Sequence, residues 1–142
     1  MVEIKKFQFK NKELMKIAHN IRYDVFVIGQ NCPEDIEWEF EEESTHFLVY
    51  DNKEAVATAR HRRTEKGCKL ERFAVSESDR GKGYGHIVLK AILEDLKDIN
   101  SMIYMHAQIQ VLPFYEKFGF IKEGDLFEEA GIMHFKMTLQ KN

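Results

Sequence analysis

A glycine-rich segment, RGKGYG at Arg80–Gly85, has the residue types of an anion-binding loop. It follows the strand-like segment CKLERFAVS, precedes a helical pattern, and holds three of the chain's 8 glycines at alternate positions. Glycine leaves the backbone N–H groups open to an approaching anion. The start of a helix attracts anions, and Arg80 and Lys82 add positive charge. The segment therefore predicts a site for a phosphate or pyrophosphate group.

Two other phosphate-binding motifs do not fit this segment. A P-loop needs Ser or Thr after its Gly-Lys pair, whereas Lys82 is followed by Gly83. The dinucleotide fingerprint needs its third glycine at position 86, where the chain has His86. The next predicted strand also lacks the closing acidic residue that would contact a ribose.

The remaining clusters of titratable residues are less specific. Seven carboxylates lie among residues 34–43, interleaved with Ile36, Trp38 and Phe40. This segment either attracts cationic acceptors to an entrance or is a solvated loop anchored by its apolar residues. The histidines, at positions 19, 46, 61, 86, 106 and 134, lack metal-ligand spacing, and the cysteines form no zinc pattern. We therefore expect no metal.

The elements that must position these residues alternate between strands and helices. Apolar periodicity predicts the order β-α-β-β-β-α-β-α-β. Asn11 is expected to cap the first helix and Gly29 to end it, while Pro113 begins a short helix before a closing strand, GIMHFKMTL. This order predicts an α/β layered fold with a mixed sheet, in one domain of residues 1–142.

Composition excludes several classes of protein. The chain is 44% hydrophobic and 32% charged, as in ordinary globular proteins, and its net charge of -3 gives no footprint for nucleic acid. The opening segment MVEIKKFQFK lacks the apolar core of a signal peptide, and no apolar run approaches the roughly 18 residues of a membrane span. We expect a cytoplasmic protein with reduced thiols and no nucleic-acid or membrane partner.

The pattern Arg-x-x-Gly-x-Gly at Arg80–Gly85 resembles the pyrophosphate loop of the GNAT superfamily of acetyl-CoA-dependent N-acetyltransferases. LERFAVSESDRGKGYGHIVLKAIL is similar to that family's strand-loop-helix unit, and PFYEKFGF to its closing helix-strand signature. YDVFVIGQNCP and EEAGIMHFKM resemble the ElaA-like branch, although Gly29 stands where that branch usually has Glu. The resemblance implies a mixed central sheet with helices on both faces.

The resemblance also implies acetyl-CoA as co-substrate and assigns residues to it. The pyrophosphate would contact the loop, namely Arg80, Gly81, Lys82, Gly83, Tyr84 and Gly85. The pantetheine arm would pair with the backbone of Phe73, Ala74 and Val75 like an added strand. Gln108 stands where many members have an Asn that contacts the arm.

Two catalytic residues follow from the same resemblance. Tyr115, within FYEKFGF, would donate a hydrogen bond or a proton to the departing thiolate. Glu71, expected on the same strand face as Phe73, is a candidate general base with a raised pKa. Glu71 could instead pair with a neighbouring arginine (Arg60, Arg62 or Arg72).

The predicted function is direct acetyl transfer from acetyl-CoA to a primary amine, expected to belong to a small molecule. Two alternatives stay open, a non-catalytic acyl-CoA-binding module and an acetyltransferase acting on protein lysines or N-termini. His46 and His134 either face the acceptor pocket or have structural roles. Homodimers are frequent among similar proteins, so a homodimer is one expected assembly.

Overall fold

The structure, a computed structural model, describes residues 1–31 and 39–140. Residues 32–38, which include part of the acidic segment, and residues 141–142 lie outside the described residues. Within the described ranges the elements are β1 (Val2–Gln8), α1 (Lys12–Arg22), a π-helix (Tyr23–Ile28), β2 (Ser44–Asp51), β3 (Glu54–Thr64), β4 (Gly67–Val75), α2 (Tyr84–Asp95), β5 (Ile103–Gln108), α3 (Leu112–Glu116), β6 (Phe120–Glu129) and β7 (Ile132–Leu139). Parallel and antiparallel strand pairs both occur, which confirms the predicted mixed α/β class.

The observed element order has one strand more than the predicted order. We predicted a single strand after α3, whereas the structure has β6 and β7, joined at Ala130 and Gly131. These two residues have φ values of 51° and 78°, as a two-residue hairpin turn requires. Residues 121–126 of β6 are all exposed, so no apolar alternation marks this strand in the sequence.

The chain divides into two compact units, residues 1–62 with 72–99 and residues 63–71 with 100–142. In the first unit β1, β2 and β3 pair antiparallel in that order. The β2–β3 turn lies at Asn52 and Lys53, one residue later than predicted. A buried apolar cluster joins the strands to α1 and to the end of β4, and comprises Phe7, Met15, Ala18, Ile21, Leu48 and Ala74.

The first helix begins and ends where the sequence predicts. The side chain of Asn11 accepts a hydrogen bond from the N–H of Leu14 at 3.1 Å. The helix then continues as a π-helix, which ends with a hydrogen bond from the N–H of Gly29 to the carbonyl of Asp24 at 3.0 Å. A Cβ at position 29 would lie 2.6 Å from the carbonyl oxygen of Val25. The close backbone approach therefore suits glycine, in place of the glutamate usual in the ElaA-like branch.

A buried ionic cluster around Glu41 connects α1 to β3 within the first unit. The Glu41 carboxylate lies 2.9 Å from Arg22, 2.5 Å from Arg60 and 2.5 Å from His19. Its backbone carbonyl accepts a hydrogen bond from Nε2 of His46 at 3.0 Å. Burial alone would raise the pKa of Glu41, but the hydrogen bond from His19 and the two guanidinium groups lower it to about 2.

In the second unit the strand order is β4-β5-β7-β6, with β4 parallel to β5 and the other pairs antiparallel. Side chains alternate between the two faces of a strand. One face is buried and apolar, with Cys68, Leu70, Ile103, Met105, Ala107 and Met137. The opposite face, called here the polar face, carries Lys69, Glu71, Tyr104, His106, Gln108, His134 and Lys136 from β4, β5 and β7.

Candidate active site

The predicted loop Arg80–Gly85 lies in the first unit, where it leads into α2. Gly81 and Gly83 have φ values of 82° and 85°, a conformation that glycine adopts without the steric cost of a side chain. A Cβ at either position would have no atom within 4 Å. Both glycines therefore hold the backbone in a left-handed shape beside open space, as an anion cradle requires.

The start of α2 supplies N–H groups to the same place. The hydrogen bond that closes its first turn runs from the N–H of Ile87 to the carbonyl of Gly83 at 3.2 Å. Tyr84 and Gly85 precede that bond, so their N–H groups belong to the helix end that has no intrahelical acceptors. The partial positive charge at a helix start stabilises an anion by about 0.3–1 kcal/mol.

Tyr84 has its side chain turned into the first unit. The buried phenol donates a hydrogen bond to Oδ2 of Asp51, at the end of β2. This hydrogen bond is the main cause that raises the pKa of Tyr84 to about 12. The residue can therefore offer its backbone N–H to a ligand while its side chain anchors the loop.

Arg80 and Lys82, the two cations of the loop, each have one side-chain hydrogen bond or ion pair with the part of the chain that the structure describes. Nε of Arg80 donates to the carbonyl of Val75 at 3.3 Å, which ties the loop to the end of β4. Nζ of Lys82 lies 3.5 Å from Asp79, and the side chain is exposed. A surface ion pair of this kind is worth about 0–1 kcal/mol. Lys82 can therefore exchange Asp79 for a phosphate group at little cost.

The predicted arm-binding residues occupy the last part of β4. The β4–β5 ladder covers Cys68–Leu70 and ends there, while β4 continues to Val75. Arg72 follows with a φ value of 60°, which is uncommon outside glycine. The expectation that Glu71 and Phe73 share a strand face assumed regular alternation, and Arg72 interrupts that alternation.

The three residues of β4 that follow Arg72 differ in burial. Ala74 is buried in the apolar cluster of the first unit, whereas Phe73 and Val75 are half-buried. The assignment of Phe73, Ala74 and Val75 to a coenzyme arm stays a prediction.

Tyr115 lies on α3 in the second unit, behind Pro113 in the first turn as predicted. Its buried ring meets Phe114 edge-on at 5.1 Å and Phe120 at 6.1 Å between centroids. Burial raises the pKa of Tyr115 far above that of an ordinary phenol. The group therefore remains a neutral O–H donor at physiological pH.

Gln108 and Glu71 lie on the polar face of the second unit. Gln108 ends β5, and its Oε1 accepts a hydrogen bond from Gln110 at 2.5 Å. The carboxylate of Glu71 is buried and lies 3.3 Å from Nζ of Lys69. Lys69 is thus an ion-pair partner that the sequence prediction, which considered only arginines, did not include.

A further cluster on the polar face was not predicted. Nδ1 of His106 donates to Oε1 of Glu129 at 3.1 Å, and Nε2 of His134 lies 3.9 Å from Oε2 of the same carboxylate. The ring of Phe127 stacks on His134 and meets His106 edge-on. The hydrogen bond from His106 is the main cause that lowers the pKa of Glu129. Strand alternation in β5 (HAQ, residues 106–108) and β7 (MHF, residues 133–135) places both histidines on one face, a signal that the sequence contains. The third member, Glu129, could not be placed from the sequence because it belongs to β6, which was not predicted.

The predicted residues thus fall into two groups. The first unit carries Phe73, Ala74, Val75 and the loop Arg80–Gly85, and the second carries Glu71, Gln108 and Tyr115. Within residues 1–31 and 39–140, no three His, Cys, Asp or Glu side chains are placed to hold a metal ion.

Comparison with known proteins decides the family. A family model described as an acetyltransferase (GNAT) domain matches residues 12–141. The chain belongs to the GNAT family. It is 40% identical over 132 residues to the uncharacterized N-acetyltransferase YjcF of Bacillus subtilis, covering 90% of this chain and 94% of YjcF. It is 34% identical over 125 residues to protein ElaA of Escherichia coli, covering 83% and 82%.

The fold of this GNAT chain is also that of a solved relative. The crystal structure of Escherichia coli ElaA aligns with a TM-score of 0.87 and 27% identity over 99% of this chain and 100% of that chain. The predicted family, its ElaA-like branch and the fold class are confirmed. GNAT proteins are acyltransferases that use acetyl-CoA or another acyl-CoA. Across the described residues, no helix has the length and apolar character to cross a membrane.

Proposed function

We propose that this chain is an N-acetyltransferase that moves the acetyl group of acetyl-CoA to a primary amine of a small molecule by direct attack. One observation carries the proposal: two left-handed glycines with open space beside them stand at the head of α2 in a GNAT chain. This backbone shape suits a pyrophosphate, which needs several N–H groups and no intervening side chain.

The first unit would hold the coenzyme. The N–H groups of Gly81–Gly85 would bind the pyrophosphate, with Arg80 and Lys82 contributing charge. The backbone of Phe73–Val75 would accept the amide-bearing arm as an added strand. When bound, acetyl-CoA supplies an activated thioester.

Tyr115 would act at the departing sulfur. Because burial raises its pKa far above the roughly 8.5 of a thiol, complete proton transfer to a thiolate would be unfavourable. We therefore expect Tyr115 to donate a hydrogen bond and keep its proton. A hydrogen bond to a charged group contributes about 1.5–3 kcal/mol, so Tyr115→Phe should lower kcat by about 10- to 150-fold. Glu71 stays a candidate general base on the strength of the resemblance, and its buried carboxylate lies 3.3 Å from Lys69.

The proposal is tested by a thermal shift together with a thiol-release assay over a panel of small amines and lysine-containing peptides, with Tyr115→Phe as a comparison. Acetyl-CoA at about a hundred times its dissociation constant adds about 2.7 kcal/mol to the free energy of unfolding. An unfolding entropy of about 2.1 cal/mol/K per residue converts this into a rise in Tm of about 9 °C. The absence of any shift would overturn the proposal.

The amine panel distinguishes the proposed function from its two alternatives. A thermal shift without thiol release for any amine would identify an acyl-CoA-binding module. Release with peptide amines alone would identify a protein acetyltransferase, and release with small amines supports the proposal. A homodimer is part of the proposal, and light scattering at working concentration tests it.

A further inference from the structure

We propose that Nε2 of His134 accepts the proton that the acceptor's ammonium group must lose, with Glu129 and His106 as positioning residues. This inference rests on the proposed N-acetyltransferase function and assigns its proton acceptor. It differs from the resemblance, which points to Glu71.

The hydrogen bonds of His134 define its tautomer. Nδ1 lies 2.7 Å from the carbonyl oxygen of Ile132. A carbonyl oxygen only accepts, so Nδ1 of the neutral ring carries the proton and the basic lone pair is on Nε2. Nε2 lies 3.9 Å from Oε2 of Glu129, close enough for that charge to stabilise the imidazolium formed by protonation. A general-base histidine typically has one ring N–H held by a hydrogen-bond acceptor, while the other ring nitrogen accepts a proton. His134 has this arrangement.

The position of His134 places it beside a predicted coenzyme contact. In the β5–β7 ladder His134 stands directly opposite Gln108. Side chains of opposed antiparallel residues lie on the same face, with Cβ atoms about 4.5–5.5 Å apart. The His134 side chain is 8% exposed, whereas those of His106 and Glu129 are 25% and 44% exposed. Solvent therefore reaches this cluster from the side of Glu129.

The lysines near His134 form ion pairs with other carboxylates, so the negative charge of Glu129 can attract the amine. Two ion pairs on the strands around His134 are neutral within themselves, Lys69 with Glu71 at 3.3 Å and Lys136 with Glu123 at 3.2 Å. Among the described residues Glu129 has no lysine or arginine within ion-pair distance, and its charged contacts at that distance are the two histidines; Lys69 acts on it from farther away and helps to lower its pKa. With neutral rings the three residues carry a charge of about -1, which favours a cationic ammonium group.

The step balances without a further reactant. A proton leaves the ammonium nitrogen for Nε2 of His134, and the electron pair of that N–H bond stays on the nitrogen. The pair then forms the bond to the acetyl carbon, and the carbon–sulfur bond breaks with its electrons on sulfur. The second proton of the attacking nitrogen passes to that sulfur, so the products are the neutral amide and the thiol of coenzyme A. His134 returns its proton to solvent before the next turnover.

The experiment compares His134→Gln with His61→Gln, a histidine of β3 in the first unit that pairs with Asp95. A general base contributes about 10²- to 10⁴-fold, so His134→Gln should lower kcat/KM by at least about 100-fold. The acid limb of its pH profile should disappear, whereas acetyl-CoA affinity should remain within about twofold. His61→Gln should retain both the rate and the limb.

Positioning by Glu129 has a separate signature. Glu129→Gln should raise KM for cationic amines more than it lowers kcat, because the negative charge that attracts the ammonium group is removed. A merely structural role would not raise KM preferentially for cationic amines. Nitrogen NMR of the wild-type protein at neutral pH should show Nδ1 protonated and Nε2 bare in His134.

Several results would overturn the assignment. A His134→Gln protein that keeps its acid limb and its rate excludes His134, and loss of both in Glu71→Gln would assign the role to Glu71. The opposite His134 tautomer by NMR overturns the inference without any assay of activity. Failure of the wild-type chain to bind acetyl-CoA would remove the proposed function itself, a result distinct from intact binding with an unaffected His134 variant.

Discussion

Mild acid should destabilise this chain through His46. The ring is buried, and its Nε2 donates to the carbonyl of Glu41 at 3.0 Å. Burial is the main cause that lowers the pKa of His46 to about 4, and the charges of Arg22 and Arg60 lower it further. Replacement of His46 by glutamine removes this titration while retaining an N–H donor in the side chain.

The magnitude follows from the two pKa values. In the unfolded chain the pKa of a histidine is about 6.5, whereas in the folded chain the pKa of His46 is about 4. Between these two pH values the unfolded state binds a proton at His46 and the folded state does not. Stability is therefore highest above about pH 6.5 and falls as the pH decreases. Between pH 7 and pH 5 the loss is about 2 kcal/mol, a large part of a typical total of about 5–15 kcal/mol. The contribution of Glu41 is present above about pH 4.5 and is lost toward pH 2, so it barely changes in this window.

Urea unfolding at pH 7 and pH 5 measures this loss. The free energy of unfolding of the wild-type chain should fall by about 2 kcal/mol more than that of His46→Gln, whatever the substitution costs at pH 7. His86→Gln, at an exposed position, is the matched control and should behave like the wild type. Equal losses in the wild type and His46→Gln would refute the reasoning.

Three further predictions concern single contacts. Gly83→Ala should cost about 1–2 kcal/mol of stability and weaken acetyl-CoA binding, whereas Gly131→Ala, with a similar φ and equally open space, should cost as much and leave binding unchanged by calorimetry. Tyr84→Phe removes the hydrogen bond to Asp51 and should lower the urea concentration at the unfolding midpoint, with acetyl-CoA affinity retained because the N–H remains; a large loss of affinity would contradict this. Glu41→Gln should lower the free energy of unfolding at pH 7 by about 3–5 kcal/mol, since a negative charge between two buried guanidinium groups is lost; a change below about 1 kcal/mol would contradict it.

Local signals in the sequence predicted where the first helical segment begins and ends. Asn11 caps α1 and Gly29 ends the helical segment, as predicted. These features depend on backbone constraints that act over a few residues, so residue type is sufficient to predict them.

Features that depend on contacts between residues far apart in the chain were not predicted from the sequence. β6 is exposed along most of its length, so it lacks the alternation that would identify a strand. The hydrogen bond of Tyr84 joins residues 33 positions apart, and Glu129 meets His106 across 23 positions. Such contacts depend on register and tertiary packing, which composition and periodicity do not specify.

Backbone amide NMR during a titration with coenzyme A tests the central claim most directly. If the loop binds the pyrophosphate, the amide resonances of Gly81, Gly83 and Gly85 should move with coenzyme A and stay still with S-acetylpantetheine, which lacks that group. Loop resonances that remain unmoved at saturating coenzyme A would contradict the account.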